Sequence, residues 1–180
     1  MRESCAEPLW NDNQRLLQQA QHLVERLQDA AAPSFRYGQA VGPHLRHIME
    51  HYTALLDALV QADPVVQYDA RGRDMRVQNE ATAALDLLRD LQARWSTLAH
   101  QCGATSALGQ ALHTCLQAGA SGEHSVVVPT TLGRELLFLS SHTVHHFALV
   151  AQYCRAAGVE PEQDFGKAPA TRAFERLAAA

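Results

Sequence analysis

The sequence is rich in histidine, and its histidines are grouped. There are 10 of them, where ordinary usage gives roughly four in a chain of this length. Six stand in two short segments, at His44, His47 and His51 and at His142, His145 and His146. A neutral imidazole offers one nitrogen lone pair near neutral pH, which makes histidine the commonest metal ligand among side chains. The grouping therefore points to metal binding.

Spacing within the two segments fits one shared ion. His142 and His146 are four residues apart, and so are His47 and His51. On a helix, side chains four apart lie on one face, with their β-carbons roughly 5–6 Å from each other. Two such imidazoles can bind one ion at about 2.0–2.1 Å each. A third histidine from the other segment would give three protein ligands and an open position, the pattern of catalytic zinc sites.

The residues alone leave a second interpretation open. A single histidine on an apolar helix is more often a hydrogen-bonded core residue than a metal ligand, and the four-residue spacing is a short motif. Several buried imidazoles without partners would nevertheless cost free energy, and a shared cation satisfies them together. Both a metal site and a set of core histidines remain as hypotheses.

Four long helices are predicted from the spacing of the apolar residues. Such residues recur every three or four positions over about 11–31, 41–62, 74–101 and 130–157, as in amphipathic helices. Capping side chains stand at three of the starts: Asn11 or Asp12, Asp74, and Thr130 or Thr131. Four helices with short or moderate connections predict an all-α fold, an up-down four-helix bundle. Sites in bundles form where side chains point inward from facing helices.

A short β-hairpin is predicted between the third and fourth helices. Residues 112–117 alternate weakly between apolar and polar, 119–122 are turn-like, and 126–128 are β-branched and precede Pro129. Continuation of a helix over 106–117 is the alternative.

The fourth helix and the chain after it complete the predicted domain. No charged residue stands between Leu136 and Cys154, so this helix is expected to be buried nearly all round. Gly158 can take the left-handed conformation that ends it. The tail, 159–180, is expected to wrap back or to form a short helix at 171–179. We predict one domain over 1–180, with its core at about 10–158.

Composition argues against two classes of partner. With a net charge of −4, the protein lacks the excess of basic residues that is typical of nucleic-acid-binding proteins. The longest uncharged stretch, 136–154, contains three histidines and several hydroxyl side chains, which makes it too polar for a membrane span. The first residues contain no apolar core of signal-peptide length. We therefore expect a cytoplasmic protein that binds neither nucleic acid nor membranes.

Two segments resemble motifs of the DinB/YfiT-like superfamily. Gly-Pro-His-Leu-Arg-His-Ile-Met-Glu-His-Tyr at 42–52 is similar to its second-helix motif, and Leu-Phe-Leu-Ser-Ser-His-Thr-Val-His-His-Phe-Ala-Leu at 137–149 resembles its late histidine-pair helix. The order of these elements along the chain is also similar to that in the superfamily: one early ligand comes first, then a long third helix, and then a late pair of histidines. The resemblance covers about 10–158. The segments 68–74 and 164–171 resemble an uncharacterised branch.

The resemblance implies a four-helix bundle that holds a divalent transition metal (zinc, nickel or iron). Carried over residue by residue, it implies His47 as the early ligand and His142 and His146 as the late pair. Members include transferases and isomerases that use low-molecular-weight thiols, and proteins assigned as hydrolases. His145 has no counterpart in the motif and is expected to point elsewhere, because one residue turns a helix by about 100°.

Three further residues stand close to the predicted ligands. His51 could be a fourth ligand or a proton shuttle. We prefer the interpretation that it supports the ligands or faces solvent. Glu50 either orients a ligand imidazole or acts as a general base on a metal-bound water, or it is, as we prefer, a surface carboxylate. His44 is expected near the start of the second helix, as a cap or exposed.

Three functions compete. The first is a metal-dependent hydrolase or thiol-dependent transferase, which acts on a small-molecule substrate at the open coordination position. The second is a non-catalytic, dimeric module that binds a metal or a small molecule. The third is an interaction protein whose histidines are core residues. A homodimer is expected, because bundles with largely apolar helices often bury one face against a copy.

Overall fold

The computed structural model describes residues 6–32, 34–70, 72–101 and 108–179, and within them the protein is mostly helical with a small three-stranded sheet. The helices are α1 (Glu7–Ala30), α2 (Gly42–Leu59), α3 (Met75–Asn79), α4 (Ala81–Gln101), α5 (Leu132–Ala156) and α6 (Pro169–Ala178). The strands are β1 (Val65–Gln67), β2 (Ala111–Ala118) and β3 (His124–Thr131), and a single 3-10 turn (Tyr37–Gln39) precedes α2. None of the described helices is long and apolar enough to cross a membrane.

The four long helices, α1, α2, α4 and α5, pack against one another. α1 packs on α4 and α5, and α2 packs on the same two helices. Their apolar stripes meet in one core, whose largest fully buried side chains include Trp95, Tyr52 and Phe147. Trp95 lies edge-on to Trp10, with 4.8 Å between ring centroids, and donates its indole N–H to the Trp10 carbonyl. This packing sets α2 and α5 side by side.

The start of α1 differs from the prediction. The helix begins at Glu7 with Pro8 in its first turn, where the missing proline N–H has no helical partner to lose. Asn11 and Asp12 therefore lie inside the helix, and their predicted role as caps is wrong. Two other predicted caps are confirmed: the side chains of Asp74 and Thr131 accept hydrogen bonds from the N–H groups at the starts of α3 and α5.

The predicted third helix is broken in two. Glu80 takes extended backbone angles (φ −122°, ψ 113°) between α3 and α4. The break lets the end of α3 approach the start of α2 closely: a β-carbon built on Gly42 would lie 1.9 Å from the Gln78 carbonyl oxygen. Neither proline nor glycine stands between Asp74 and Ala81, so the sequence carries no signal that would end a helix there.

The predicted hairpin is present, and it belongs to a larger sheet. β2 and β3 are antiparallel from Ala111↔Thr131 to Ala118↔His124, so the alternative of a helix over 106–117 is wrong in its described part. β1 pairs in parallel with β2, with Val66 opposite Thr114. A three-residue strand within a loop-like segment is too short to produce a recognisable alternation.

α5 is not buried all round, contrary to the prediction. Leu137 is 57% exposed and Tyr153 44% exposed, and His145 is also exposed. Absence of charge thus does not imply burial here, because the described elements cover only part of this helix. Gly158 ends the helix region with φ +78°, as predicted.

The C-terminal tail both wraps back and forms a helix. Phe165 stacks on Phe147 of α5 with ring centroids 4.3 Å apart. Gly166 has φ +72° and lies so close to α5 that an added β-carbon would be 2.7 Å from the Ala148 nitrogen. α6 then carries Phe174 and Leu177 on its exposed surface.

Candidate metal centre

The structure brings together the three histidines that the sequence singles out. The ligand atoms of His47, His142 and His146 all lie within 4.8 Å of one another, and all three residues are partly buried. His142 Nε2 is 2.9 Å from His47 Nε2. The ring centroid of His146 is 4.8 Å from that of His47 and 4.6 Å from that of His142. One helix thus supplies a pair one turn apart, and the facing helix supplies the third ring.

A buried polar network fixes the relative position of α2 and α5. Asn13 of α1 donates from Nδ2 to the Leu136 carbonyl of α5 at 3.1 Å. Its Oδ1 accepts from the Tyr52 hydroxyl of α2 at 2.8 Å. Thr143 of α5 donates to the Tyr52 oxygen at 3.4 Å. Because these groups are buried, each lost partner would leave a costly unsatisfied atom, so the network holds the two histidine-bearing helices in one register.

His51 lies behind the three-histidine group rather than in solvent. It is only 5% exposed, so the solvent-facing part of the prediction is wrong. Its Nδ1 is 2.7 Å from the His47 carbonyl oxygen; since a carbonyl only accepts, His51 carries a proton on Nδ1. Its ring is 4.3 Å from that of His47 and 4.7 Å from that of His142. His51 therefore packs against two of the candidate ligands.

His44 also belongs to the cluster, although the sequence predicts a cap or an exposed residue. The start of α2 has no side-chain cap, and His44 is partly buried. Its Nδ1 lies 3.0 Å from Nδ1 of His146, and its ring centroid is 5.7 Å from that of Tyr153. His145, in contrast, is exposed, as expected from the helical rotation.

Glu50 is not a surface carboxylate. Only 11% of its side chain is exposed, and its Oε1 is 3.6 Å from Nε of Arg46, one turn earlier on α2. It lines a cavity of about 720 Å³ formed with α3, α4 and the segment after β1; the described residues that line this cavity include no histidine. This cavity therefore lies apart from the cluster.

An aromatic wall, formed by Phe138 and Tyr68, borders the cluster on its other side. Phe138 stacks on His142 with centroids 5.3 Å apart and an interplanar angle of 22°. Tyr68 stacks on His51 at 5.0 Å and 23°. Both rings also line a second cavity of about 360 Å³ beneath the sheet. A small molecule in this cavity would contact the same rings that pack on the histidines.

A buried carboxylate supports this wall. Glu135, in the first turn of α5, is 1% exposed. Its Oε2 accepts from the Tyr68 hydroxyl at 2.6 Å, and its Oε1 accepts from the Thr130 hydroxyl at 2.7 Å. Burial, and then the hydrogen bond to Glu135, raise the pKa of Tyr68, so this hydroxyl stays protonated as a donor.

The environment keeps two of the imidazoles neutral. Burial, and then the charges that the neighbouring histidines would carry when protonated, lower the pKa of His146 to about 4. Burial also lowers the pKa of His44. Neutral rings keep their lone pairs, which a metal ion needs and which protons would otherwise occupy. The donor set thus fits a divalent transition metal.

Sequence reasoning missed three residues around the site, Tyr68, Glu135 and Phe138, and gave His44 a different role. Each acts through a partner far away in the chain; Tyr68 and Glu135, for example, are 67 residues apart. The position of Glu135 directly before the uncharged helical stretch is the one local signal, since a carboxylate is seldom buried without a hydrogen-bond donor.

Comparisons with known proteins give one partial similarity. No protein-family profile matches the chain, and no solved structure matches it. FK506-binding protein 5 of Rhizopus delemar is 29% identical over 107 residues, which cover 59% of this chain and 26% of that protein. The chain spans about a quarter of the length of the curated relative that it matches.

Proposed function

We propose that this protein binds one divalent transition metal through His47, His142 and His146, in a four-helix bundle of the DinB/YfiT type formed by α1, α2, α4 and α5. The observation that carries the proposal is the convergence of three ligand atoms, all within 4.8 Å of one another, from two facing helices. Zinc, nickel and iron are the candidates, because imidazole suits all three.

The three ligands would leave one coordination position open. Three protein ligands and an open position are typical of catalytic sites, whereas structural zinc sites have four protein ligands. When bound, the metal would supply Lewis-acid chemistry, in which it activates water or a thiol or polarises a carbonyl. Among the described residues, the group with mutually close ligand atoms comprises these three histidines alone, which supports an open site.

A cavity adjoins the cluster through shared aromatic rings. Phe138 and Tyr68 pack on His142 and His51 and also line the 360 Å³ cavity, whose described lining contains no histidine. The guanidinium of Arg134 lies 5.3 Å above the Phe138 ring at the same cavity. A cavity of this size accommodates a small substrate, and a low-molecular-weight thiol is one such substrate.

The proposed reaction is hydrolysis or thiol-dependent group transfer. The test is a panel of esters, amides and thiol acceptors, assayed with the metal-free protein and with added Zn²⁺, Ni²⁺ or Fe²⁺. We expect turnover that requires the metal and is lost in His47→Ala but retained in His145→Ala, whose ring is exposed. Equal activity of wild type and His47→Ala would reject the assignment of His47.

A non-catalytic metal or small-molecule binding module is the second candidate. The hydrogen bonds of Glu135, the carboxylate beside the aromatic wall, favour this function. Both of its oxygens accept hydrogen bonds from hydroxyl groups, so they are poorly placed to take a proton from a substrate. Tight metal binding without turnover of any substrate in that panel would select this function.

We further propose a homodimer, supported by the exposed apolar side chains of α5. Leu149 and Tyr153 stand one turn apart on α5 and are each more than a third exposed, and burial of such residues against a copy would be favourable. Sedimentation equilibrium tests this: we expect twice the chain mass for the wild type and a shift towards the monomer in Leu149→Glu.

A further inference from the structure

His44 and His146 make a contact whose chemistry is restrictive. Their Nδ1 atoms are 3.0 Å apart, which is the length of a hydrogen bond. A neutral imidazole carries one N–H and one lone pair, on different nitrogens. For this contact to be favourable, one Nδ1 must be protonated and the other must not, so the pair fixes the tautomer of both rings.

A bound metal would decide which ring donates. A metal-ligating histidine uses one nitrogen as the ligand and donates its other N–H to a neighbouring acceptor, which fixes the orientation of the ring. In His146, Nδ1 faces His44, which leaves Nε2 for the ion. The proton of His146 then sits on Nδ1, and the lone pair of His44 Nδ1 accepts it.

We propose that His44 is a positioning residue, which accepts a hydrogen bond from Nδ1–H of His146 and thereby holds His146 with Nε2 directed at the metal. This inference rests on the proposed function. His44 lies in the first turn of α2, one turn before His47, so the same helix provides a ligand and the acceptor that orients a ligand of α5. The ring of Tyr153 packs against His44, with 5.7 Å between the ring centroids.

The location of His44 separates this role from direct ligation. Among the described residues, the close group of ligand atoms contains His47, His142 and His146, and the Nδ1 atom of His44 contacts this group at Nδ1 of His146. Loss of such an outer partner typically costs 10–100-fold in metal affinity, whereas packing alone at a partly exposed site would leave metal affinity almost unchanged.

The first experiment reads the tautomers of both rings in the Zn²⁺-loaded protein. Long-range ¹H–¹⁵N NMR at pH 8 should find the proton of His146 on Nδ1 and that of His44 on Nε2 in the wild type, and the His146 Nδ1–H signal should be broadened by solvent exchange in His44→Ala. The conservative variant His44→Asn, whose side-chain oxygen can stand near the place of Nδ1, should restore the sharp signal. A wild-type His44 protonated on Nδ1, or a wild-type His146 protonated on Nε2, would overturn the proposal.

The second experiment measures Zn²⁺ affinity by competition with a chromophoric chelator. We expect His44→Ala to bind Zn²⁺ 10–100-fold more weakly than wild type, with His44→Asn within about threefold and the neighbouring exposed control His145→Ala unchanged. Urea unfolding in chelator checks that each variant is folded. If His44→Ala binds Zn²⁺ as tightly as wild type, or if His44→Asn does not restore the affinity, the role of His44 is rejected and the metal site remains. If the wild-type protein binds no divalent ion, the proposed function itself is rejected.

Discussion

His142 and His47 are 95 residues apart in the chain, yet their Nε2 atoms are 2.9 Å apart in the structure. At this distance one ring donates a hydrogen bond to the other, and a metal between the helices would replace that shared proton. The contact therefore joins α2 and α5 with or without an ion, and it makes the pair a sensitive reporter of metal binding.

Removal of a candidate ligand should abolish metal-dependent stabilisation. In the wild type, Zn²⁺ at 100 times its dissociation constant should raise the free energy of unfolding by about 2.7 kcal/mol, because a ligand that binds only the folded state stabilises it. His47→Ala and His142→Ala should lose this gain, as measured by urea unfolding with and without Zn²⁺. His145→Ala is the matched control and should keep it. If Zn²⁺ raised the free energy of unfolding of both ligand variants as much as that of the wild type, the proposed metal site would be rejected.

The stability of the metal-free protein should fall between about pH 6.5 and pH 4. The pKa of His146 is lowered to about 4 in the folded state, whereas histidine in an unfolded chain titrates near 6.5. Between these values the unfolded chain binds more protons, so acidification favours unfolding, and the contribution is fully present only above about 6.5. Urea unfolding in chelator across this range, with NMR titration of the His146 ring, measures the effect.

A matched variant isolates His146 from the other groups that titrate in this range. His146→Gln removes the ring and should flatten this part of the pH dependence, whereas His145→Ala should keep most of it, because burial is the largest cause of the lowered His146 pKa and the charge of His145 is a smaller one. A midpoint for His146 close to 6.5 in the metal-free protein would contradict the argument.

Tyr52→Phe should destabilise the fold through the network that sets α2 against α5. The substitution removes the hydroxyl that donates to Asn13 Oδ1 at 2.8 Å and leaves that buried oxygen without this donor. Such a loss typically costs about 1–3 kcal/mol, measured as the free energy of unfolding in urea. Tyr153→Phe makes the same chemical change at a ring that is 44% exposed and should stay within about 0.5 kcal/mol. Equal effects of the two substitutions would show that the network contributes little.

Gly42→Ala should be destabilising because α2 starts against the backbone of α3. The added β-carbon would lie 1.9 Å from the Gln78 carbonyl oxygen and 2.9 Å from Cε1 of Tyr37, so backbone must move. Overpacking of this kind costs about 1–3 kcal/mol, again measured by urea unfolding. Gly109→Ala is the control, since nothing lies within 4 Å of its β-carbon position. A Gly42→Ala protein as stable as wild type would mean that α3 is free to shift.

Local patterns predicted the features that depend on a few neighbouring residues. The four-residue spacing of His142 and His146 places them on one face of a helix wherever that helix packs, and Asp74 and Thr131 cap helices through bonds to residues two or three positions away. The turn between β2 and β3 is equally local. In each case the determining interaction spans one helical turn or one hairpin, which the order of residues already contains.

Tertiary structure alone decided which of the grouped histidines meet. His44 and His145 have the same chemistry, yet one contacts His146 from another helix and the other faces solvent. That outcome depends on the rotation and approach of α2 and α5, which packing against α1 and α4 determines. The break at Glu80 and the support of Tyr68 by Glu135 have the same origin, because contacts between distant segments leave no period in the sequence.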